Sequence, residues 1–81
     1  MFAINKYLID RKEDASFFDT AKFRVFRCNL NAYKILSSFK DNTFSLQDFL
    51  DKCWEFKTEA SSARNFFDKC RQNEIVVEAS Y

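Results

Sequence analysis

The sequence of 81 residues contains no glycine, no proline and no histidine. Without glycine it cannot form a Gly-rich phosphate loop, because such a backbone approaches phosphate where a Cβ would clash. Without histidine it has no Ser-His or Cys-His nucleophile pair and no mixed Cys/His zinc site. No pair of carboxylates is marked out for acid–base chemistry. We therefore expect a protein that is not an enzyme and has no cofactor of its own.

An excess of charge and a long apolar run are also missing. Thirteen Lys and Arg face twelve Asp and Glu, a formal net charge of +1, whereas DNA-binding domains usually carry a basic excess. No segment approaches the roughly 20 apolar residues of a membrane span, and the apolar run at the N-terminus is too short for a signal peptide. We expect a cytoplasmic protein whose partners include neither a membrane nor nucleic acid.

The three cysteines, Cys28, Cys53 and Cys70, are an odd number at spacings that suit neither a closed disulfide set nor a CxxC metal site. We expect them to behave as small, buried apolar residues. What the chain has in abundance is apolar surface, with 47% hydrophobic residues and eleven Phe. That is enough to order one small core, so residues 1–81 are predicted to form a single domain.

Short aromatic and β-branched runs predict three antiparallel strands in the first thirty residues. The runs cover residues 7–9, 16–18 and 23–28, with charged or polar turns between them. The third run alternates in polarity except at Val25 and Phe26, so we expect both of its faces to be partly apolar.

From residue 29 onward the apolar spacing changes to that of helices. Three stripes follow the i, i+3, i+4, i+7 template: Ala32, Ile35, Leu36 and Phe39; Leu46, Phe49, Leu50 and Cys53; Ala63, Phe66, Phe67 and Cys70. The predicted fold class is α+β, with three short N-terminal antiparallel strands followed by three helices. This order is the outline of a winged helix-turn-helix.

Capping residues agree with the first two helices. Either Asn29 or Asn31 can cap the first helix, and Ser45 can cap the second, with Asp48 in the capping-box position. Two large aromatic residues lie outside the stripes. Trp54 is expected to cover the core from a helix end, and Tyr33 is expected at the surface or against a partner.

The bounds of the third helix are less defined. Thr58, Ser61 or Ser62 can start it, and Asn73 can end it, because Asn tolerates the left-handed conformation. Residues 75–77 form a short β-branched tail that we expect to pack back on the core.

The chain around the start of the first predicted helix resembles the PqqD-like domains, which recognise ribosomally made, post-translationally modified peptides. In those domains an aromatic strand ends in Leu-Asn, followed by Ala three residues later and Ile-Leu three residues after that. Asn29, Ala32, Ile35 and Leu36 keep this spacing, with Cys28 in the place of Leu.

Two later segments are similar to the same family. Residues 43–50 look like its polar-start second helix, and residues 66–76 look like its closing Phe-Leu…Leu…Gly-Leu-Ile signature. At the family's usual Gly this chain has Glu74 or, by a shift of one, Asn73. The resemblance extends over residues 7–77.

The resemblance implies a peptide-binding chaperone without catalysis of its own. Such domains capture the leader of a precursor peptide and present its core to a modifying enzyme, often a radical-SAM enzyme. The leader docks as an added strand on the third strand, beside the third helix.

The composition of both elements suits this role. Strand addition needs a sheet edge with unpaired N–H and C=O groups, and residues 22–28 contain no Pro to interrupt a ladder. Their cations would discourage self-pairing and attract an acidic leader. Phe66 and Phe67 point about 100° apart on a helix, and we expect Phe67 to face the groove. The predicted peptide-binding residues are Lys22, Phe23, Arg24, Val25, Phe26, Arg27, Arg64, Phe67, Asp68 and Arg71.

Two alternatives stay open. One is a winged-helix DNA-binding regulator, since the third predicted helix offers side chains that suit base and phosphate contacts: Arg64, Asn65, Lys69, Arg71 and Gln72. The near-zero net charge, Asp68 within that helix and the lack of a two-stranded wing after it count against this function. The other is a protein-interaction subunit that uses exposed aromatic residues.

Overall fold

The computed structural model describes residues 1–79 and has the predicted α+β class, with strands near the N-terminus followed by three helices. In chain order the elements are β1 (Phe2–Ile4), β2 (Leu8–Arg11), β3 (Ser16–Asp19), β4 (Arg24–Arg27), α1 (Leu30–Ser38), α2 (Leu46–Glu55), α3 (Ala60–Gln72) and β5 (Val76–Glu78). A short 3₁₀ turn, Lys12–Asp14, connects β2 to β3.

The three predicted strands form an antiparallel meander in the order β2-β3-β4. Phe17 of β3 is 2% exposed and lies opposite Phe26 of β4. Because residues directly opposite each other share a face, these two rings turn the same side of the meander toward the helices. The predicted third strand is therefore β4 of the structure.

A second, two-stranded sheet joins the ends of the chain. Strands β1 and β5 pair antiparallel, with Ile4 opposite Val76. Phe2 extends this sheet by exchanging backbone hydrogen bonds with Phe44 at 2.7 and 2.9 Å. The tail at residues 75–77 packs on the core as predicted, whereas β1 is not evident in the sequence because its partner lies more than 70 residues away.

The first two helices begin at the predicted caps. The side-chain oxygen of Asn29 accepts a hydrogen bond from the Ala32 N–H at 2.8 Å. Ser45 and Asp48 form a reciprocal capping box at the start of α2, with distances of 3.0 and 3.1 Å. These bonds satisfy N–H groups that a helix start otherwise leaves unpaired.

The predicted end of α3 at Asn73 is confirmed, whereas its predicted start needs a correction. The helix begins at Ala60 with Glu59 at the cap position, and no side chain caps it, so Thr58, Ser61 and Ser62 do not start it. Burial of Ala63, whose N–H donates to the Glu59 carbonyl at 2.8 Å, fixes the first turn instead.

At the other end of α3, Asn73 is the C-cap but keeps a negative φ of −90°. The left-handed residue is Glu74, with a φ of 59°. The turn is thus made without glycine.

The helices meet the meander and the small sheet around a cluster of phenylalanine rings. Phe39 stacks on Phe44 with ring centroids 4.3 Å apart, and Phe49 lies 5.9 Å from Phe39. Phe67 of α3 meets the Phe49 ring edge-on at 5.1 Å. Since these rings come from all three helical stripes and the loop before α2, they hold the elements in place around one core.

A polar contact fixes α1 to the meander. The hydroxyl of Tyr33 donates to the carboxylate of Asp10 at 2.9 Å, and the Lys40 ammonium donates to the same carboxylate at 2.6 Å. The bonds from Lys40 and Tyr33 lower the pKa of Asp10 below its usual range. Tyr33 is 7% exposed, so the expectation that it lies at the surface is wrong, because its hydroxyl finds a partner inside the fold.

Within residues 1–79, none of the helices combines the length and the apolar character that crossing a membrane would require.

Candidate functional site

Strand β4 forms one edge of the meander. It pairs with β3 on one side, and no strand among the described residues pairs with its other side. Of its four residues, only Phe26 is half-buried, while Arg24, Val25 and Arg27 are exposed. The edge is therefore open to solvent over the length of the strand.

The hydrogen-bond pattern shows which backbone groups of β4 face the open side. In an antiparallel pair, opposite residues alternate between exchanging two hydrogen bonds and exchanging none. The N–H of Cys28 donates to the Ala15 carbonyl at 3.1 Å, so the register gives Phe26 and Arg24 the other bonded positions. The N–H and C=O groups of Val25 and Arg27 consequently point away from β3.

The two faces of β4 have different surroundings. Phe26 turns toward the core side and packs against the buried cluster. Val25, on the opposite face, is 56% exposed and lies directly across from Phe18 of β3. An added strand would thus place alternate side chains beside the core on one face and beside an exposed apolar surface on the other.

Phe23 projects from the turn between β3 and β4. The buried carboxylate of Asp19 accepts hydrogen bonds from the N–H groups of Ala21 and Lys22 at 2.8 and 3.0 Å, which tightens this turn. Phe23 itself has a φ of 55° and is 80% exposed, with its ring 6.4 Å from that of Phe18. The turn therefore presents an aromatic ring to solvent at one end of the open edge.

The cations near the edge are not equally available. Glu74 forms an ion pair with Lys22 and lies 4.0 Å from the Arg24 guanidinium. At the other end of the strand, the carboxyl group of Asp14 has a pKa below its usual range, first because the Ser16 hydroxyl donates to it and also because Arg11 and Arg27 are near. At one end Lys22 and Arg24 lie near Glu74, with Asp19 directly opposite Arg24, and at the other end Arg11 and Arg27 lie near Asp14, so the excess of positive charge is at the Arg27 end of β4.

The predicted residues of α3 lie at a different place. Arg64, Phe67, Asp68 and Arg71 line a shallow depression with Phe2 of β1, Gln72 and Glu78 of β5, and no residue of β4 contributes to it. The Arg71 guanidinium lies 4.9 Å from the Phe2 ring and 3.9 Å from the Glu78 carboxylate. The structure thus separates the ten predicted residues into an edge set on β4 and its turn and a second set beside β1 and β5.

The prediction for the phenylalanine pair of α3 is wrong in one respect. Phe67, which was expected to face a groove, is 4% exposed and belongs to the core, whereas Phe66 is half-buried. The reason is that Phe2 of β1 covers this side of α3 and meets the Phe67 ring edge-on at 5.1 Å. Residues 2–4 carry no strand pattern of their own, so the sequence does not predict that Phe2 covers Phe67.

Other exposed apolar residues were not predicted as part of a surface. Ile9 of β2 is 54% exposed, on the same face as Phe18 and Val25. Trp54, which was expected to cover the core, is instead 73% exposed on α2. The alternation of β2 could have indicated Ile9, since Leu8 beside it is buried.

The three cysteines are free. Cys53 and Cys70 are fully buried, as predicted, and Cys28 is partly buried with its Sγ 3.1 Å from the Ala15 carbonyl oxygen. Burial raises the pKa of the Cys28 thiol to about 11 and that of Cys70 to about 12. No cluster of three or more potential ligands for a metal ion occurs among residues 1–79.

Comparisons of the chain with protein-family models, with curated proteins and with solved structures gave no match.

Proposed function

We propose that this protein binds an extended peptide segment by adding it as a strand to the free edge of β4, without catalysis of its own. The observation that carries the proposal is the outward direction of the Val25 and Arg27 backbone groups on an uncovered edge. In strand addition, main-chain hydrogen bonds supply affinity and alternate side chains supply specificity. The resemblance to PqqD-like domains supports a more specific ligand, the leader of a ribosomally made precursor peptide, and a modifying enzyme as second partner.

The other edge of the meander is less suited to this role. On β2, the N–H of Leu8 already donates to the Asn5 carbonyl at 3.2 Å, and the Asp10 side chain is held by Tyr33 and Lys40. A peptide at β2 would have to compete with the backbone bond of Leu8, whereas among residues 1–79 the outward N–H groups of Val25 and Arg27 on β4 have no such backbone partner. We therefore assign the peptide to β4.

The charges around β4 favour an acidic ligand. Lys22, Arg24 and Arg27 lie on β4 and its turn, and Arg11 lies across the meander on β2; Asp14, Asp19 and Glu74 are the carboxylates near them, so the cations are in slight excess. Exposed charge of this kind increases the rate of association more than the affinity. The α3 residues that were grouped with β4 are not needed for this mode of binding, because they line a separate depression.

A winged-helix DNA-binding regulator is the alternative, and the contacts of α3 do not favour it. Arg64 pairs with Asp68 at 3.4 Å, and Arg71 lies over the Phe2 ring beside Glu78. A helix that inserts into the major groove would have to free these cations from their present contacts. In addition, a chain with a net charge of +1 gains little from the release of counterions.

The proposal is tested by replacing Val25 with proline. Because the Val25 N–H points away from β3, Val25→Pro removes a donor from the open edge and none from the protein's own ladder. We expect the variant to fold and to lose peptide binding by at least tenfold. Calorimetric titration with the short peptide encoded beside this chain's reading frame would measure the loss, at low and at high salt.

Two controls make the result specific. Val25→Ala keeps the N–H and should bind within a few-fold of the parent protein. Phe26→Pro removes an N–H that bonds to β3 and should unfold the meander, which circular dichroism would report. Unchanged binding by a folded Val25→Pro variant would refute strand addition at β4. Binding to duplex DNA that falls steeply with salt, with no peptide binding, would favour the regulator instead.

A further inference from the structure

We infer that the peptide bound at β4 carries an acidic residue followed, two positions later, by an apolar residue, and that the outer face of the meander recognises this pattern. The inference rests on the proposed function and adds to it the chemistry of the ligand. Two rows of side chains carry it; they cross the meander on the face opposite Phe17 and Phe26.

The first row is apolar and ends at the open edge. Ile9 lies opposite Phe18, and Phe18 lies opposite Val25, so the three side chains stand side by side across β2, β3 and β4. Phe23 leans toward Phe18 from the turn and enlarges the apolar surface. Ile9 and Val25 are each more than half exposed, so the row has no cover among the described residues. A fourth strand would place one of its side chains beside Val25, where an apolar residue buries the most surface.

The second row has an arginine at each end. It lies two residues after the first row on β2 and β4 and two residues before it on β3. Arg11 is opposite Ser16, and Ser16 is opposite Arg27. The carboxylate of Asp14 accepts a hydrogen bond from the Ser16 hydroxyl at 2.6 Å, and both arginines are near this carboxylate. One carboxylate near two guanidinium groups leaves an excess of positive charge, and Arg27 is at the outer end of the row. A peptide side chain directly opposite Arg27 is therefore favoured if it is Asp or Glu.

The direction of the peptide sets the order of the two residues. All paired strands among residues 1–79 are antiparallel, and antiparallel strand pairs outnumber parallel pairs roughly two- to threefold in proteins. An antiparallel peptide passes Arg27 before it passes Val25. The pattern from the N-terminus is thus acidic residue, any residue, apolar residue, and the middle side chain points to the opposite face beside Phe26.

Arg24 provides a matched control for Arg27. Both are exposed arginines of β4, but they lie on opposite faces, since Arg24 shares the face of Phe26 and lies near Glu74. If the face of Val25 and Arg27 recognises the acidic residue of the peptide, charge reversal at Arg27 should change the preference for that residue, and charge reversal at Arg24 should not.

Selection of short random peptides displayed on phage tests the inference on the full-length chain. Immobilised parent protein, Arg27→Glu and Arg24→Glu would each be used for selection, with clones that also bind Val25→Pro discarded. We expect the parent and Arg24→Glu proteins to enrich Asp or Glu two positions before an apolar residue. Arg27→Glu should enrich Lys or Arg at that position, because the cross-strand charge is reversed.

Affinity measurements complete the test. Replacing the acidic residue of a selected peptide by Ala should weaken binding to the parent protein by about two- to fivefold, as for a cross-strand charge pair, and should not weaken binding to Arg27→Glu. Clones that depend on Val25 yet show no acidic preference would overturn this inference and leave the proposed function standing. If no clone depends on Val25, the proposed function itself fails. Circular dichroism of each variant would establish that it is folded.

Discussion

Left-handed backbone conformations occur here without glycine, because the chain contains none. Five described residues have a positive φ: Ala15, Phe23, Asp41, Lys57 and Glu74. For an L-residue other than glycine this conformation costs roughly 1–2 kcal/mol. Tight turns and helix ends nevertheless require the left-handed conformation. The tertiary fold therefore holds these residues in a conformation that they do not favour by themselves. Phe23 shows the consequence most clearly, since its conformation directs an aromatic ring into solvent.

Lys57 is the position where this cost can be measured most cleanly. It follows the C-cap of α2, is exposed and has a φ of 61°. We expect Lys57→Gly to raise the free energy of unfolding by up to about 1 kcal/mol, because glycine removes the left-handed cost but adds entropy to the unfolded chain. Urea denaturation would measure the change.

Lys52→Gly is the control within α2, and it also removes the exposed ion pair of Lys52 with Glu55 at 3.1 Å. There, glycine should lower the free energy of unfolding by about 1 kcal/mol. A destabilised Lys57→Gly variant would contradict the left-handed assignment. Glu74→Gly is less informative, because Glu74 also pairs with Lys22 and Arg24.

At the scale of elements, α2 and α3 differ in how they begin. The start of α2 has a capping box between Ser45 and Asp48, whereas no side chain caps α3 behind Glu59. Helix α2 is therefore fixed locally by its own sequence, and α3 is fixed by the burial of Ala63 and Phe67.

This difference predicts the effect of two serine substitutions. Ser45→Ala should lower the free energy of unfolding by about 1 kcal/mol, because it removes the acceptor for an N–H of the first turn of α2. Ser61→Ala, on the exposed side of α3, should change it by less than about 0.5 kcal/mol. Thermal or urea unfolding of both variants measures the difference. Equal effects would mean that the capping box contributes nothing.

For the whole molecule, the three buried or partly buried thiols couple stability to pH. Burial raises the pKa of Cys28, Cys53 and Cys70 above that of a free thiol, to about 11 for Cys28 and about 12 for Cys70. Above the unfolded pKa of about 8.5 the unfolded chain releases thiol protons that the folded chain retains. The free energy of unfolding should therefore decrease as pH rises above that value.

Urea denaturation in reducing buffer between about pH 7 and pH 10 would measure this slope, which approaches about 1.4 kcal/mol per pH unit for each fully shifted thiol. The Lys40–Asp10 pair adds little in this range. The hydrogen bond from Lys40 to Asp10 raises the pKa of Lys40, so its contribution is lost only at higher pH. Cys28→Ala should reduce the slope of the free energy of unfolding against pH, whether or not the substitution also changes the stability at neutral pH. An identical slope with and without Cys28 would show that this thiol is not the source.

Much of the fold was determined by the sequence itself, because its signals are local. Apolar spacing at 3.6 residues gave three helices, short β-branched and aromatic runs gave the three strands of the meander, and Asn29 and Ser45 cap the helices that they precede. Each of these signals comes from residues that are close together in the sequence, so the sequence alone is enough to identify it.

The tertiary structure decided what depends on distant contacts. Pairing of β1 with β5 brings Phe2 over Phe67 and buries a ring that the helical spacing alone could not assign to core or groove. Tyr33 and Trp54 depend on distant contacts in the same way. Tyr33 is buried because its hydroxyl donates to Asp10, 23 residues earlier in the chain, whereas Trp54 is exposed. For the candidate site, the sequence indicated the strand and its cations. Only the register showed that Val25 and Arg27 face the open edge, because the direction of a backbone N–H follows from which strand lies beside it.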